Sequence, residues 1–261
     1  DRRGSAAEIL RGNRMTMPQY APAGNKKNAG KRIGIIGAMD IEIEKIVSTM
    51  EKHREEHAGG LVFHLGTIRE RECVAAVCGE GKVNSAVCAQ TMLLRYAPCC
   101  VINVGVAGGI GEGIAIGDLV AASSVVQHDF DVTALGYKPG EIPSLKEVYL
   151  PTDTALTGLA LECAAKVYPG GLHKGVIASG DQFIAGPETF KRIREQFGAL
   201  ACEMEGASIG QVCVMNQVPF TVLRAISDNG DSTAHVDYPQ FAREAAEKSQ
   251  KLMVELIGRL P

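Results

Sequence analysis

The run Ala201-Cys202-Glu203-Met204-Glu205-Gly206-Ala207 sets two carboxylates between a short apolar stretch and Met204 to Met215, a segment that reads as a buried helix. Ionised carboxylates are almost never buried without a partner, so packing explains these acids poorly. A strand-to-helix turn is instead where α/β folds hold ligands, at the carboxyl ends of strands. Two further acids stand at similar junctions. Glu42 follows the strand-like Arg32-Ile33-Gly34-Ile35-Ile36-Gly37, and Asp228 closes Thr221-Val222-Leu223-Arg224-Ala225-Ile226-Ser227. Three separated strand ends, each delivering an acid, point to one polar site.

Weaker motifs occupy comparable positions. Ile33-Gly34-Ile35-Ile36-Gly37-Ala38-Met39 lacks the G-x-G-x-x-G spacing of a dinucleotide site and reads as a tight strand-to-helix turn. Glu42, taken alone, fits a solvated first-turn acid favoured by the helix dipole. Val104-Gly105-Val106-Ala107-Gly108-Gly109-Ile110 follows another strand, and its glycines allow a ligand close to the backbone. Gly79-Glu80-Gly81-Lys82-Val83-Asn84 opens a helix without P-loop spacing, and Glu80 would repel a phosphate. Ser179-Gly180-Asp181-Gln182-Phe183-Ile184 ends a strand on an aromatic. Phe183 fits a stacking surface for a planar heterocycle, with main-chain groups reading its edge, as well as it fits a core residue. His128-Asp129-Phe130-Asp131 has metal-ligand residue types, but side-chain hydrogen bonds stabilising a loop account for it. No metal and no cofactor are expected.

The elements that must position these residues alternate along the chain. Strands are expected at 32–38, 61–69, 73–78, 99–105, 117–127, 173–179, 199–203 and 219–227. Helices are expected at 40–57, 82–96, 153–167, 188–197, 204–215 and 238–259. Alternation of this kind predicts an α/β fold, a single domain over 31–261 with a central sheet covered on both faces by helices. The irregular stretch 128–150 is long enough to border the site or a partner subunit. Its apolar points Leu135, Tyr137, Ile142 and Pro143 need a surface to cover them.

Composition narrows the function classes. The 261 residues are 46% hydrophobic and 22% charged, enough for one large core. Net charge is −3, yet the first 31 residues carry seven Lys/Arg against two acids; the body then holds 20 basic and 28 acidic residues. A body near −8 offers no basic face, so nucleic acid is not an expected partner. The eight cysteines form no CxxC pair and no zinc spacing, and read as small buried hydrophobes of a reducing cytoplasm. No apolar run approaches the ~20 residues that cross a bilayer. Residues 1–30, polar and basic, read as a disordered leader or expression-derived segment, with the native start expected at Met15, Met17 or later and what precedes it foreign to the native chain.

Taken in order, Gly34-Ile35-Ile36-Gly37-Ala38-Met39-Asp40-Ile41-Glu42, Gly105-Val106-Ala107-Gly108-Gly109, His128-Asp129-Phe130-Asp131-Val132-Thr133-Ala134-Leu135-Gly136-Tyr137, Ser179 to Ile184, Glu203-Met204-Glu205 and Arg224-Ala225-Ile226-Ser227-Asp228 resemble the bacterial 5′-methylthioadenosine/S-adenosylhomocysteine nucleosidases. These belong to the nucleoside phosphorylase superfamily. The resemblance covers roughly residues 32–260, and the set is far more specific than any member of it.

The resemblance implies a mixed, twisted sheet and hydrolysis of the bond between adenine and a 5′-thio-substituted ribose, with 5′-deoxyadenosine as a further substrate. It assigns Asp228 as the general acid at adenine N7, with Ser227 beside it. Glu42 becomes the residue that positions and deprotonates water, and Glu205 binds the ribose hydroxyls with Met204 packed on the sugar. Adenine lies against Phe183 and the Ile184 main chain, near Val106, Ala107, Gly108 and Glu203. The 5′ group enters a slot with Met39 and Tyr238, completed by the partner's copies of Leu135, Tyr137 and Pro143 in a homodimer. Val106 departs from the Ser or Thr of many relatives, so Arg224 and Glu42 must hold the water without that hydroxyl. Leu135 replaces a common aromatic. The alternatives are a purine nucleoside phosphorylase, an aminofutalosine nucleosidase and a non-catalytic nucleoside-binding protein. Asp40, Glu42 and Glu44 fill the region where a phosphorylase needs a cation, and retention of both Asp228 and Glu42 argues against lost catalysis.

Overall fold

A computed structural model describes residues 31–168, 171–229 and 234–261, the last without the side chains of 234–240 and 242. The leader expected at 1–30 lies outside the described residues. Strand β1 (Ile33–Gly37) is buried at every position, as suits an apolar strand covered on both faces. It pairs in parallel with β4 (Arg71–Val77) on one side and β5 (Cys100–Gly109) on the other. From β4 the sheet continues antiparallel through β3 (Leu61–Ile68) to β2 (Glu51–Ala58) at its edge.

On the other side the strands close on themselves. β5 pairs in parallel with β10 (Phe220–Asp228), which runs antiparallel to β6 (Leu119–Gln127). β6 pairs with β8 (Leu172–Ser179), and β8 with β9 (Ala199–Glu203). β9 returns to the end of β5 through Gly108 opposite Cys202 and Gly109 opposite Ala201. The short β7 (Leu150–Pro151) adds to β6. The result is the mixed α/β sheet expected, with a five-stranded ring that places the ends of β5, β9 and β10 around one hollow.

Helices cover both faces. On one, α1 (Asp40–Val47), α3 (Thr154–Ala164) and α6 (Ala234–Arg259) bury Ile43, Leu156 and Leu256 against Ile35, Ile102 and Leu223. On the other, α2 (Lys82–Tyr96) and α5 (Gly206–Asn216) bury Met92 and Ile209 against Val101 and Val222. Gly34 makes the first contact possible: a Cβ there would stand 2.8 Å from Met92 Sδ. Helix α4 (Pro187–Phe197) has Pro187 at its first turn and Gly198 at φ 62° past its end, and buries Phe190, Ile193 and Phe197, one helical stripe. Burial of each such side chain contributes roughly 1.5–3 kcal/mol.

One expected element is corrected. The helix expected over 40–57 stops at Val47, and Glu51–Ala58 is the edge strand β2. Its string of charges and histidines suits an exposed edge, where like residues blunt strand pairing. The two-residue turn Gly59-Gly60, both at positive φ, joins it to β3. In 128–150 only a short 3₁₀ turn at Thr133–Leu135 and an Ile142–Glu147 bridge form, and Ile142 is buried by its own chain.

Candidate active site

Glu42 is the third residue of α1 and turns back over its start. Its Oε2 accepts from the amides of Ala38 at 2.7 Å and Met39 at 3.1 Å, and its Oε1 accepts from Val106 at 3.1 Å. The carboxylate thus serves helix amides that have no partner of their own, while bridging β1 to β5. It is 5% exposed, so the reading of Glu42 as a solvated surface acid fails. Burial raises its carboxyl above the ordinary range, against the pull of Arg224 and the three amides.

Arg224, in β10, is wholly buried among acids. Its Nη2 donates to Asn103 Oδ1 at 2.6 Å and to Glu203, and lies 3.6 Å from Glu205 Oε2. Asn103 is itself fixed by its Nδ2 donating to Ile36 O at 2.9 Å. Glu203 ends β9 and also accepts from Ser179 Oγ and from the amides of Glu205 at 3.1 Å and Gly206 at 2.8 Å. Ser179 in turn accepts from the Ala207 amide at 2.7 Å. Glu203 therefore caps α5 and anchors Arg224, and its oxygens are spent on the chain.

Glu205, two residues on, is less fully engaged. Its Oε1 accepts from the Gly81 amide at 2.9 Å. Burial pushes its carboxyl up to about 7; Glu203 adds to the rise, while Arg224 and the Gly81 amide oppose it. Asp228 ends β10 at 5% exposure and accepts from Ser227 Oγ at 2.9 Å through Oδ2. Gly108 makes room beside it, since a Cβ there would stand 3.2 Å from Asp228 Oδ1 and 2.9 Å from the Phe190 ring.

The four acids and Arg224 face one cavity of about 310 Å³, at the lower end of the roughly 300–1,000 Å³ typical of small-ligand clefts. Glu42 and Asp228, remote in sequence, both line it. So do Glu203, Met204, Glu205, Arg224 and Ser227, with Met39, Val106, Ala107 and Gly108 from the ends of β1 and β5. Phe183 and Ile184 line it from the loop after β8, Phe183 being half exposed.

The phosphorylase superfamily model matches residues 32–258. A 5′-methylthioadenosine/S-adenosylhomocysteine nucleosidase of Shewanella sediminis is 37% identical over 230 residues, 88% of this chain and all of that protein. The crystal structure of the same-named nucleosidase from Neisseria meningitidis, in complex with methylthio-immucillin-A, superposes with a TM-score of 0.85 at 35% identity, covering 88% of this chain and all of that one. A futalosine hydrolase mutant of Helicobacter pylori strain 26695 gives a TM-score of 0.84 at 37% identity over the same shares. The chain belongs to the methylthioadenosine/S-adenosylhomocysteine nucleosidase family of the phosphorylase superfamily.

Five further residues line this nucleosidase-family cavity. Phe190 reaches it from α4, and Cys202, Ala38, Glu80 and Gln182 complete the lining. Asn103 acts through Arg224 once β5 and β10 are paired, and Gly81 through the amide it gives to Glu205. Leu135 and Tyr137 are 42% and 39% exposed and stand outside this chain's cavity lining, as does the half-buried Pro143. The side chain of Tyr238 lies outside the described residues.

A clasp holds the Phe183 loop. Lys82 Nζ donates to Asp129 Oδ1 at 2.6 Å, Asp129 Oδ2 accepts from the Asp181 amide at 2.8 Å, and Asp181 Oδ1 accepts from the Lys82 amide at 2.7 Å. Burial opposes the Asp129 charge, but Lys82 and the Asp181 amide outweigh it and hold the carboxyl below its usual range. The expected loop-stabilising role of the 128–131 motif has this geometry behind it.

Proposed function

We propose that this chain hydrolyses the N-glycosidic bond of 5′-methylthioadenosine and S-adenosylhomocysteine, and of 5′-deoxyadenosine, releasing adenine and the 5′-substituted ribose. The observation that carries the reading is the convergence of Glu42 and Asp228 on one cavity that Glu205 also lines. Asp228 gives a proton to adenine N7, so the base departs neutral as C1′–N9 breaks. Ser227 orients that carboxyl. The ribose gains oxocarbenium character, and a water adds to C1′ from the Glu42 side while Glu42 takes its proton. A carboxyl raised by burial is the stronger base for that step.

Arg224 Nε is buried without an acceptor among the described residues, which costs roughly 1–3 kcal/mol until a partner arrives. This donor and Glu42 hold the attacking water without the hydroxyl that Val106 lacks. Glu205 accepts from the ribose hydroxyls, Met204 packs on the sugar, and Phe183 and Ile184 hold adenine. Met39 lines the 5′ slot.

The chain acts as a homodimer in this reading. Leu135, Tyr137 and the exposed Val83, Val87 and Leu94 of α2 supply apolar surface for a second copy. Eight free cysteines fit a reducing cytoplasm, and among the described residues no helix is long and apolar enough to cross a membrane. The similarity to a futalosine hydrolase supports a second substrate, 6-amino-6-deoxyfutalosine, handled by the same residues. A steady-state panel of these four nucleosides, with and without phosphate and reading free adenine, tests the proposal. Phosphate-independent release is expected; release that requires phosphate, or none from any of the four, refutes it.

A further inference from the structure

We propose that the β2–β3 hairpin carries a divalent transition-metal site built from His53, Glu55 and His64, on the sheet wing away from the nucleoside cavity. Among the described residues these three form the one group of His, Cys, Asp or Glu close enough to share an ion, with one ligand atom from each within 4.8 Å of the others. The register explains the grouping. Glu55 and His64 stand directly opposite across the two strands, so their side chains share a face. His53, two residues before Glu55, lies on that face too. An irregularity between Glu51 and Arg54, with Lys52 at φ 52°, shifts the strand just where His53 leaves it.

The spacing suits a small cation. His53 Nε2 and His64 Nδ1 are 3.0 Å apart, and His64 Nδ1 is 3.5 Å from Glu55 Oε1. Ligands bonded at about 2.0–2.2 Å to a tetrahedral zinc ion stand roughly 3.3–3.5 Å from one another. The rings are stacked with centroids 5.3 Å apart, and the broad χ2 of histidine lets small rotations aim both lone pairs at one point. Two imidazole nitrogens and one carboxylate select Zn²⁺, Ni²⁺ or Cu²⁺ over Mg²⁺ or Ca²⁺. A bound ion fastens the outermost strand to its neighbour and leaves one position for water. Local pattern does not show this grouping, because it needs Glu51–Ala58 to be a strand paired with β3 rather than the tail of the helix expected over 40–57.

The test uses the full chain without an affinity tag, stripped of metal and titrated with ZnCl₂ by calorimetry. One equivalent binds, and His53→Ala and His64→Ala each weaken binding by about tenfold or more. Cys99, half buried with its thiol lowered to about 7, chiefly by its hydrogen bond with Cys100, is the competing soft ligand. Cys99→Ser leaves the zinc affinity unchanged, and Co²⁺ bound to the parent shows no sulfur-to-metal charge-transfer band. Circular dichroism confirms that the surface variants are folded. No Zn²⁺ binding at about a hundred micromolar, binding that survives the double histidine variant, or binding lost in Cys99→Ser overturns the site.

Discussion

Gly105→Ala is the sharpest probe of the cavity, because the change adds one methyl group at the point where its two central charges meet. Gly105 does not use the positive-φ region, so alanine is conformationally allowed and the perturbation is steric alone. The new Cβ would fall inside the van der Waals envelope of Arg224 Nη1 and 2.5 Å from Glu42 Oε1. Ordinary contact starts near 3.4 Å, so the Glu42 carboxylate must retreat by about 1 Å and the guanidinium further. Neither has slack: Glu42 accepts three amides, and Arg224 is held by Asn103 and Glu203. A 1 Å misplacement of reacting groups costs about 10²-fold, or roughly 2.7 kcal/mol of barrier. Overpacking adds about 1–3 kcal/mol of destabilisation. Steady-state adenine release from methylthioadenosine should show kcat down by that factor, with a melting temperature several degrees lower. Gly158→Ala is the control, since a Cβ there meets nothing within 4 Å in the middle of α3; it should leave turnover alone and gain up to about 1 kcal/mol. Turnover in Gly105→Ala within a few-fold of the parent would refute the idea that the placement of Glu42 and Arg224 sets the rate.

Asp228→Asn and Glu42→Gln should fold normally and each lose about 10²–10⁴-fold in kcat, as expected for general acid and base; near-normal turnover in either removes its role. Asp129→Asn keeps the loop's length but cannot accept from both Lys82 and the Asp181 amide, so KM for adenine nucleosides should rise about tenfold with kcat nearly constant; an unchanged KM detaches the clasp from binding. Glu205 is raised in the fold, so between its ordinary value of 4.5 and about 7 the native state holds more protons than the unfolded chain, and stability falls as pH rises through that window. Melting curves should therefore shift in favour of Glu205→Gln over the parent between pH 5 and pH 8, and a pH-independent gap would contradict the burial argument.

The legible parts of this protein are those where residue type and local pattern suffice. β10 closes on Asp228, β1 is an apolar run followed by Glu42 in the first turn of α1, and both acids face the cavity. β2 was hidden because Glu51–Ala58 carries no apolar face; its place in the sheet comes from backbone pairing with β3 and a Gly-Gly turn. The closed ring was equally hidden, for β9 joins β5 through two residue pairs only. Glu42 illustrates the boundary between the two. Its position after a strand predicts proximity to a ligand, but its burial depends on amides of Val106 and Ala38 that only the folded sheet supplies. Gly105 reads as one glycine among several until Arg224, 119 positions later, proves to fill the space its missing side chain leaves.

The charge arrangement also bears on why water, rather than phosphate, fits the reacting position. Among the described residues lining the cavity, Arg224 is the only cation, and Glu42, Glu203 and Glu205 all act on it. Its Nη2 is already given to Asn103 and Glu203. A phosphate beside Glu42 would meet a like charge, and the positive charge of Arg224 is already countered by Glu203. Two unit charges 4 Å apart cost about 4 kcal/mol at an effective dielectric near 20, a factor of nearly 10³ in occupancy. Water bears no such cost, and it can surrender a proton to the same carboxylate that would repel the anion. In the proposed reaction Glu42 is the base, and the same carboxylate excludes the competing nucleophile, so Glu42→Gln should cost hydrolysis about 10²–10⁴-fold without creating phosphorolysis, because glutamine removes the repulsion but adds no cation.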